Sequence, residues 1–165
     1  MPTIELQHPV NLPAALVGPA LQRVLERIER GEDAQHPFSL SVGLHDLHLP
    51  DAGTLSVPID LHLRVSHGAH ATSLDFEFAA RTHRKLFPTF EGTLRSDPLG
   101  PSQAALWFSG SYTPPLGAVG RALDATVMRG VAERTLAALL ANVAAEACAD
   151  VEAHERAGIR NAQTH

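Results

Sequence analysis

A single cysteine, Cys148, in 165 residues excludes an intramolecular disulfide, and a reducing cytoplasm is the simplest home for such a chain. No segment approaches the roughly 18 uninterrupted apolar residues of a membrane-spanning helix. The N-terminus, Met-Pro-Thr-Ile-Glu, lacks the basic and apolar regions of a signal peptide. Lys and Arg do not cluster, and the net charge is −5 with a pI near 6.0. Phosphate-backbone binding needs a basic face, so nucleic acid is not an expected partner. Aromatic residues are only 5% of the chain, with one Trp and one Tyr.

What is present is globular: 44% hydrophobic and 19% charged residues, enough chain for one domain with its own core. Ten histidines are abundant for this length. Protonating all of them would reverse the sign of the net charge, so solubility is expected to dip at mildly acid pH.

Thr3–Val10 alternates weakly and reads as a strand. Asn11 is a candidate N-cap with Pro13 in the first turn, and Gly18-Pro19 predicts a break between two short helices. The second helix carries Leu21, Val24, Leu25 and Ile28 on one stripe and closes at Gly31.

From Pro37 to Tyr112 the period becomes two. Phe38, Leu40, Val42 and Leu44 alternate, and Pro50-Asp51-Ala52-Gly53 predicts a turn that sets Leu49 against Leu55 and Leu47 against Val57. That pairing requires a bulge near His45-Asp46. Gly68-Ala69 fits a two-residue turn, which pairs Leu63 with Leu74, Leu61 with Phe76 and Ile59 with Phe78, all inward. His62 then faces Asp75 outside. Phe90, Gly92 and Leu94 form the next inward row. Asp97–Pro101 reads as a turn, and Ala104, Leu106, Phe108, Gly110 and Tyr112 form the last row. Inward glycines either leave room for a ligand or admit a helix. Trp107 and Phe87 fall outward by parity and would offer a partner surface, a homodimer being the simplest case.

From Leu116 to at least Cys148 an alanine-rich helix carries Val119, Leu123, Val127, Val131, Leu139 and Val143 on a step-of-four ladder, with Thr135 on the missing rung. Such a ladder drifts by about 40° per step. The helix must bend, near Gly130, or turn its halves to different partners. A bend at Gly130 would also suit an entrance to the interior.

The order strand, two short helices, antiparallel meander and long terminal helix resembles the START-like helix-grip superfamily (SRPBCC), which includes polyketide cyclases and lipid-transfer proteins. The segment Ser109–Gly117 leading into Ala118–Asp124 resembles the strand-to-helix junction of small bacterial members. The resemblance implies an α+β fold, a curved antiparallel sheet gripping a long C-terminal helix, with a ligand cavity and no particular reaction. The meander has five strands after the helices, where longer members have six. The expected domain is 1–157, with 158–165 a disordered tail.

His45, His48, His62, His67, His70 and His83 invite a metal reading. Yet there is no His-Glu-x-x-His helix and no cysteine pair, and regular strand parity turns His48 and His62 to solvent. No metal or other cofactor is expected. Phe108-Ser109-Gly110-Ser111 lacks the nucleophile elbow of a serine hydrolase, and Gly117–Gly120 is not a phosphate loop. Tyr112 points inward, either as a core aromatic with its hydroxyl bonded to backbone or as the polar handle for an apolar ligand. His45 at the bulge and His67 or His70 at a hairpin end are the other polar groups placed to look in. The expected function is binding or transport of a small hydrophobic molecule, touched by Leu61, Phe76, Phe78, Phe90, Phe108, Tyr112, Val127 and Val131. The alternatives are an aromatase/cyclase-type enzyme acting on a polyketide-like substrate and a filled-core interaction protein.

Overall fold

Period-two alternation and the long alanine-rich helix together produce a sheet wrapped on a helix. The computed structural model describes residues 2–32, 39–43, 53–67, 72–82, 84–114 and 125–163. In chain order these form β1 (Thr3–Val10), α1 (Ala14–Glu29), β2 (Ser39–Gly43), β3 (Thr54–His67), β4 (Thr72–Ala80), a 3-10 turn (Arg84–Leu86), β5 (Thr89–Gly100), β6 (Gln103–Thr113) and α2 (Ala125–Ala162). One antiparallel sheet has the order β1-β6-β5-β4-β3-β2. Helix α2 packs against α1 and against both edge strands, β1 and β2. Six flat strands would span about 24 Å, more than twice the width of a helix of roughly 10 Å. The sheet therefore curls around α2. No helix among the described residues is long and apolar enough to cross a membrane.

The strands approach unusually closely where β5 and β6 cross. Gly92 and Gly110 are direct register partners on the inner face. A Cβ at Gly92 would lie 2.4 Å from the Ser109 carbonyl oxygen, and one at Gly110 would lie 2.2 Å from that of Glu91. Only two residues without side chains can approach this closely. Neither expected role for these glycines, room for ligand or approach of the helix, is the observed one: they let the two strands pinch together.

The strand between α1 and β3 pairs differently from the sequence expectation. Val57 faces Leu40 and Leu55 faces Val42, so β3 pairs with Ser39–Gly43 rather than with Leu47 and Leu49, which lie outside the described residues. In the β3–β4 hairpin the register is two residues along from that expected: Leu63 meets Phe76, Leu61 meets Phe78, Ile59 meets Ala80 and His62 meets Glu77. Pairing ends at His67 and Thr72, leaving four connecting residues instead of two. A shift of two preserves face parity, so Ile59, Leu74, Phe76 and Phe78 are still buried.

Strand β5 does not end in a turn at Asp97 but runs to Gly100, with a bulge between Pro98 and Gly100. Pro101-Ser102 makes the turn, and Leu99 is left exposed. Phe87 is buried, not outward. The 3-10 turn before it breaks the strand's parity, and Arg81 and Arg84 fasten this corner by bonding Asp60 at 2.8 and 3.0 Å.

Helix α1 is a single helix through Pro19, not two short ones. Proline removes one backbone donor and disfavours helical geometry in the residue before it. Gly18 has no Cβ to clash, and Val17, Ala20, Leu21 and Val24 hold both sides of the site in the core. The N-terminal turn uses the Pro13 carbonyl, which accepts from Leu16. Asn11 does not cap the helix, because its side-chain oxygen accepts from Gln103. At the other end Gly31 takes φ +66° and the Glu32 amide donates to the Arg27 carbonyl, a Schellman closure.

Helix α2 is continuous through Gly130 and runs to Ala162, past residue 157 where the domain was expected to end. Its ladder is accommodated by a change of partner. Val131, Thr135, Leu139 and Val143 are buried, and a parallel row, Met128 to Ala144, is buried beside them. Thr135 satisfies its hydroxyl by donating to the Val131 carbonyl at 2.8 Å. Further along, buried Asp150 accepts from Arg23 at 2.8 Å and from Arg27, tying α2 to α1.

Gly92→Ala and Gly110→Ala should each lower unfolding free energy by about 1–3 kcal/mol or more, since backbone must move. Gly130→Ala meets only the Arg134 guanidinium, 3.8 Å away, and should raise stability by up to about 1 kcal/mol. Urea denaturation of the three variants checks the contrast. A neutral Gly110→Ala would contradict the pinch.

Candidate functional site

The glycine pair forms the floor of a hollow on the inner face, and aromatic side chains surround it. Phe76 stands beside Gly92 in the register; Phe90 and Tyr112 lie in the row on one side, with Phe108 and Leu94 in the row on the other. The rings interlock: Phe78 stacks on Phe90 at 4.6 Å between centroids, Phe76 meets Phe78 edge-on at 4.9 Å, and Phe76 meets Phe108 edge-on at 5.8 Å. Edge-to-face and offset pairs are the favourable arrangements of such rings. The tip of Phe108 would be 3.1 Å from a Cβ on Gly92, so this ring occupies the space that the glycines leave.

Of the expected contact residues, the structure brings Phe76, Phe78, Phe90, Phe108, Tyr112 and Val131 into one buried cluster. The side chains of Leu61 and Val127 lie outside those described. Phe78, Phe90 and Phe108 have no accessible surface, so no water-sized space adjoins them. Phe76, Tyr112, Met128 and Val131 retain 2–5%. All four are buried, as is the rest of the cluster. Elsewhere, a recess of about 10 Å³ between α1 and the sheet, lined by Val17, Gly18, Leu21 and Leu74 among others, has room for about one water molecule.

Tyr112 is the polar member of the cluster. Its ring leans on Phe90 at 6.1 Å, and its amide donates to the Pro2 carbonyl, fixing the end of β6 against the N-terminal segment. Its hydroxyl has no hydrogen-bond partner among the described residues. Every fully buried side-chain oxygen or nitrogen among those residues has a partner, so this hydroxyl must reach accessible space. Burial raises its pKa above the ordinary 10.0, partly offset by the positive charge of Arg129 on α2, with Glu133 acting in the opposite sense. Arg129 Nε donates to Glu133 at 2.9 Å, a pair one helical turn apart.

Sequence reasoning found the ring cluster from strand parity. It missed Arg129 and Glu133, whose only signal was an i, i+4 opposite-charge pair on an otherwise alanine-rich helix. Of the histidines proposed as metal ligands and set aside, His45, His48, His70 and His83 lie outside the described residues, as do the side chains of His62 and His67. Gly117–Gly120 lies outside them too. Ser109 and Ser111 face outward, bonding Glu5 and Glu91. Trp107 is outward and half-buried, with the Arg95 guanidinium 5.6 Å above its ring. Cys148 is half-buried, and burial raises its thiol above the ordinary value.

A curled antiparallel sheet closed on a long C-terminal helix defines the α+β helix-grip class. A solved structure of a conserved protein from Geobacillus kaustophilus has the same fold, at TM-score 0.51 and 11% identity over 89% of this chain and 95% of that one. The Zhui aromatase/cyclase from a Streptomyces species aligns over 91% of this chain and 95% of its own, at 15% identity and TM-score 0.45. A protein of Thermus thermophilus aligns over 90% and 98%, at 14% identity and TM-score 0.45. No protein-family model matches the chain, and no curated protein matches it in sequence.

The folded chain holds the Tyr112 proton more tightly than the unfolded chain does. The stability this contributes is complete below pH 10.0 and is lost as pH rises through the folded value. Ultraviolet difference titration of this lone tyrosine should give a midpoint above 10.0 that returns towards the ordinary value in urea. A midpoint at or below 10.0 in the native protein would contradict the buried setting.

Proposed function

We propose that the chain binds a small hydrophobic molecule between the sheet and the first turns of α2, beside Tyr112. The observation that carries this reading is a hydroxyl with no hydrogen-bond partner among the described residues, on an otherwise aromatic wall. Pockets for apolar ligands combine such a wall with one or two polar groups that fix orientation. Phe76, Tyr112, Val131 and Met128 make the contacts, and Phe78, Phe90 and Phe108 form the rigid backing. Leu61 stands opposite Phe78 in the register and Val127 one helical turn before Val131, and both belong to the proposed contact set.

A filled-core protein that takes no ligand is the second reading, favoured by the absence of accessible surface on the three backing rings. The enzyme alternative, an aromatase/cyclase-type reaction on a polyketide-like substrate, would have Tyr112 move a proton. No second titratable group is seen bonded to Tyr112 among the described residues to share such a transfer, so binding is the reading we favour.

The neutral fluorophore N-phenyl-1-naphthylamine tests it. Saturable binding of roughly micromolar affinity is expected, about −8 kcal/mol. Val131→Trp, which would crowd that site, should weaken binding by at least about tenfold, or 1.4 kcal/mol, while the fold survives by circular dichroism. No saturable binding by the unaltered chain would favour the filled core.

A further inference from the structure

Helix α1 consists of two halves that are anchored unequally. Pro19 has no amide hydrogen, so the Ala15 carbonyl one turn back receives no helical bond. Ala15 and Pro19 are both exposed, where water can take that carbonyl. The helix is thus weakened at Gly18-Pro19 without leaving a buried polar group behind. Under the same point lies the recess between Val17, Gly18 and Leu21 and the sheet leucines Leu74, Leu94 and Leu106. Where its bonding is interrupted, the helix is also not close-packed on the sheet.

The anchors differ on the two sides of this point. After it, Arg23 and Arg27 bond the buried Asp150 carboxylate of α2, and Ala20, Leu21 and Val24 sit in the core. Hydrogen bonds to an ionised partner are the strong ones. Before it, two neutral side-chain hydrogen bonds tie the chain to the sheet. Gln103 Nε2 donates to Asn11 Oδ1 at 3.0 Å, in the open, and Ser96 Oγ donates to the Ala14 carbonyl at 3.2 Å. Leu12 and Val17 are the buried side chains of this half, and Leu16 is exposed. Residues 11–13, which join it to β1, belong to no helix or strand.

From this asymmetry we propose that residues 11–18 are a flap, hinged at Gly18-Pro19. The flap lifts from the sheet while residues 19–29 stay fixed on α2, and it uncovers Leu74, Leu94 and Leu106. Leu94 is the register partner of both Leu74 and Phe108. The lifted flap therefore admits solvent to the inner face next to the ring cluster, which the closed molecule seals. The motion belongs to α1 and occurs whether or not a ligand is bound.

Native-state hydrogen exchange of the full chain at low urea, followed residue by residue by nuclear magnetic resonance, tests this. In an α-helix the Ala20 and Leu21 amides reach back across the hinge to the Leu16 and Val17 carbonyls, whereas the bonds of the Val24 and Leu25 amides lie within the fixed half. Ala20 and Leu21 should exchange at least about tenfold faster than Val24 and Leu25, with little urea dependence, as a local opening does. Asp150→Asn weakens a contact that the lifted state keeps, so it should speed Val24 and Leu25 and leave Ala20 and Leu21 unchanged. Ser96→Ala removes a tie that lifting breaks, and should speed Ala20 and Leu21 about fivefold, the effect of one neutral hydrogen bond. Equal rates and equal urea dependence at all four amides would overturn the flap, as would equal acceleration of all four by Asp150→Asn. Unchanged Ala20 and Leu21 rates in Ser96→Ala would also overturn it, because the helix would then only fray at Pro19 with Ala14 still tied down. Should Asp150→Asn fail to fold, the unaltered chain and Ser96→Ala still decide.

Discussion

The close approach of Gly92 and Gly110 governs the rest of the molecule. With two glycines face to face, β5 and β6 come close together, and α2 packs against both edge strands, β1 and β2. The two glycines cover none of the inner face beside them, and empty space in a protein interior forfeits dispersion contacts unless something fills it. Phe108 leans over Gly92 to do so, and the neighbouring rings close around it.

Close strand approach and aromatic content are thus one feature. A chain with few aromatic residues has put five of its eight around this hollow. Each buried phenylalanine contributes about 1.5–3 kcal/mol through removal from water, so the cluster is a main source of cohesion on the sheet side. On the opposite flank the Asp150 pairing with Arg23 and Arg27 links α2 to α1. Between these anchors Tyr112 carries a hydroxyl that departs from the apolar pattern of the cluster.

How much of this was legible in the sequence depended on which physical rule governed each element. Parity is robust, so the inward rows from Phe76 to Tyr112 followed from alternation even where the β3–β4 register moved by two. Register itself depends on loop length, and the turn residues Gly68-Ala69 fitted a tighter connection than the pairing allows. Pro19 predicted a break because propensity was weighed without the core that holds α1 together on both sides. Phe87 was assigned outward because a 3-10 turn resets parity without an obvious signature. The glycine pair was visible, but its purpose was not: strand-to-strand approach is a relation between two distant positions, and a one-dimensional pattern does not contain it. The same holds for Asp150, whose partners lie more than a hundred residues away.

The central claim is that the interior accepts a small apolar molecule at the Tyr112 side of the ring cluster and nowhere near the recess by α1. Methyl-resolved nuclear magnetic resonance of the full chain, titrated with N-phenyl-1-naphthylamine, tests that location directly. The methyl signals of Met128 and Val131 should shift progressively and saturate, while those of Val17 and Leu21 stay in place. Shifts confined to Val17 and Leu21, or no saturable shift at any methyl, would contradict the account.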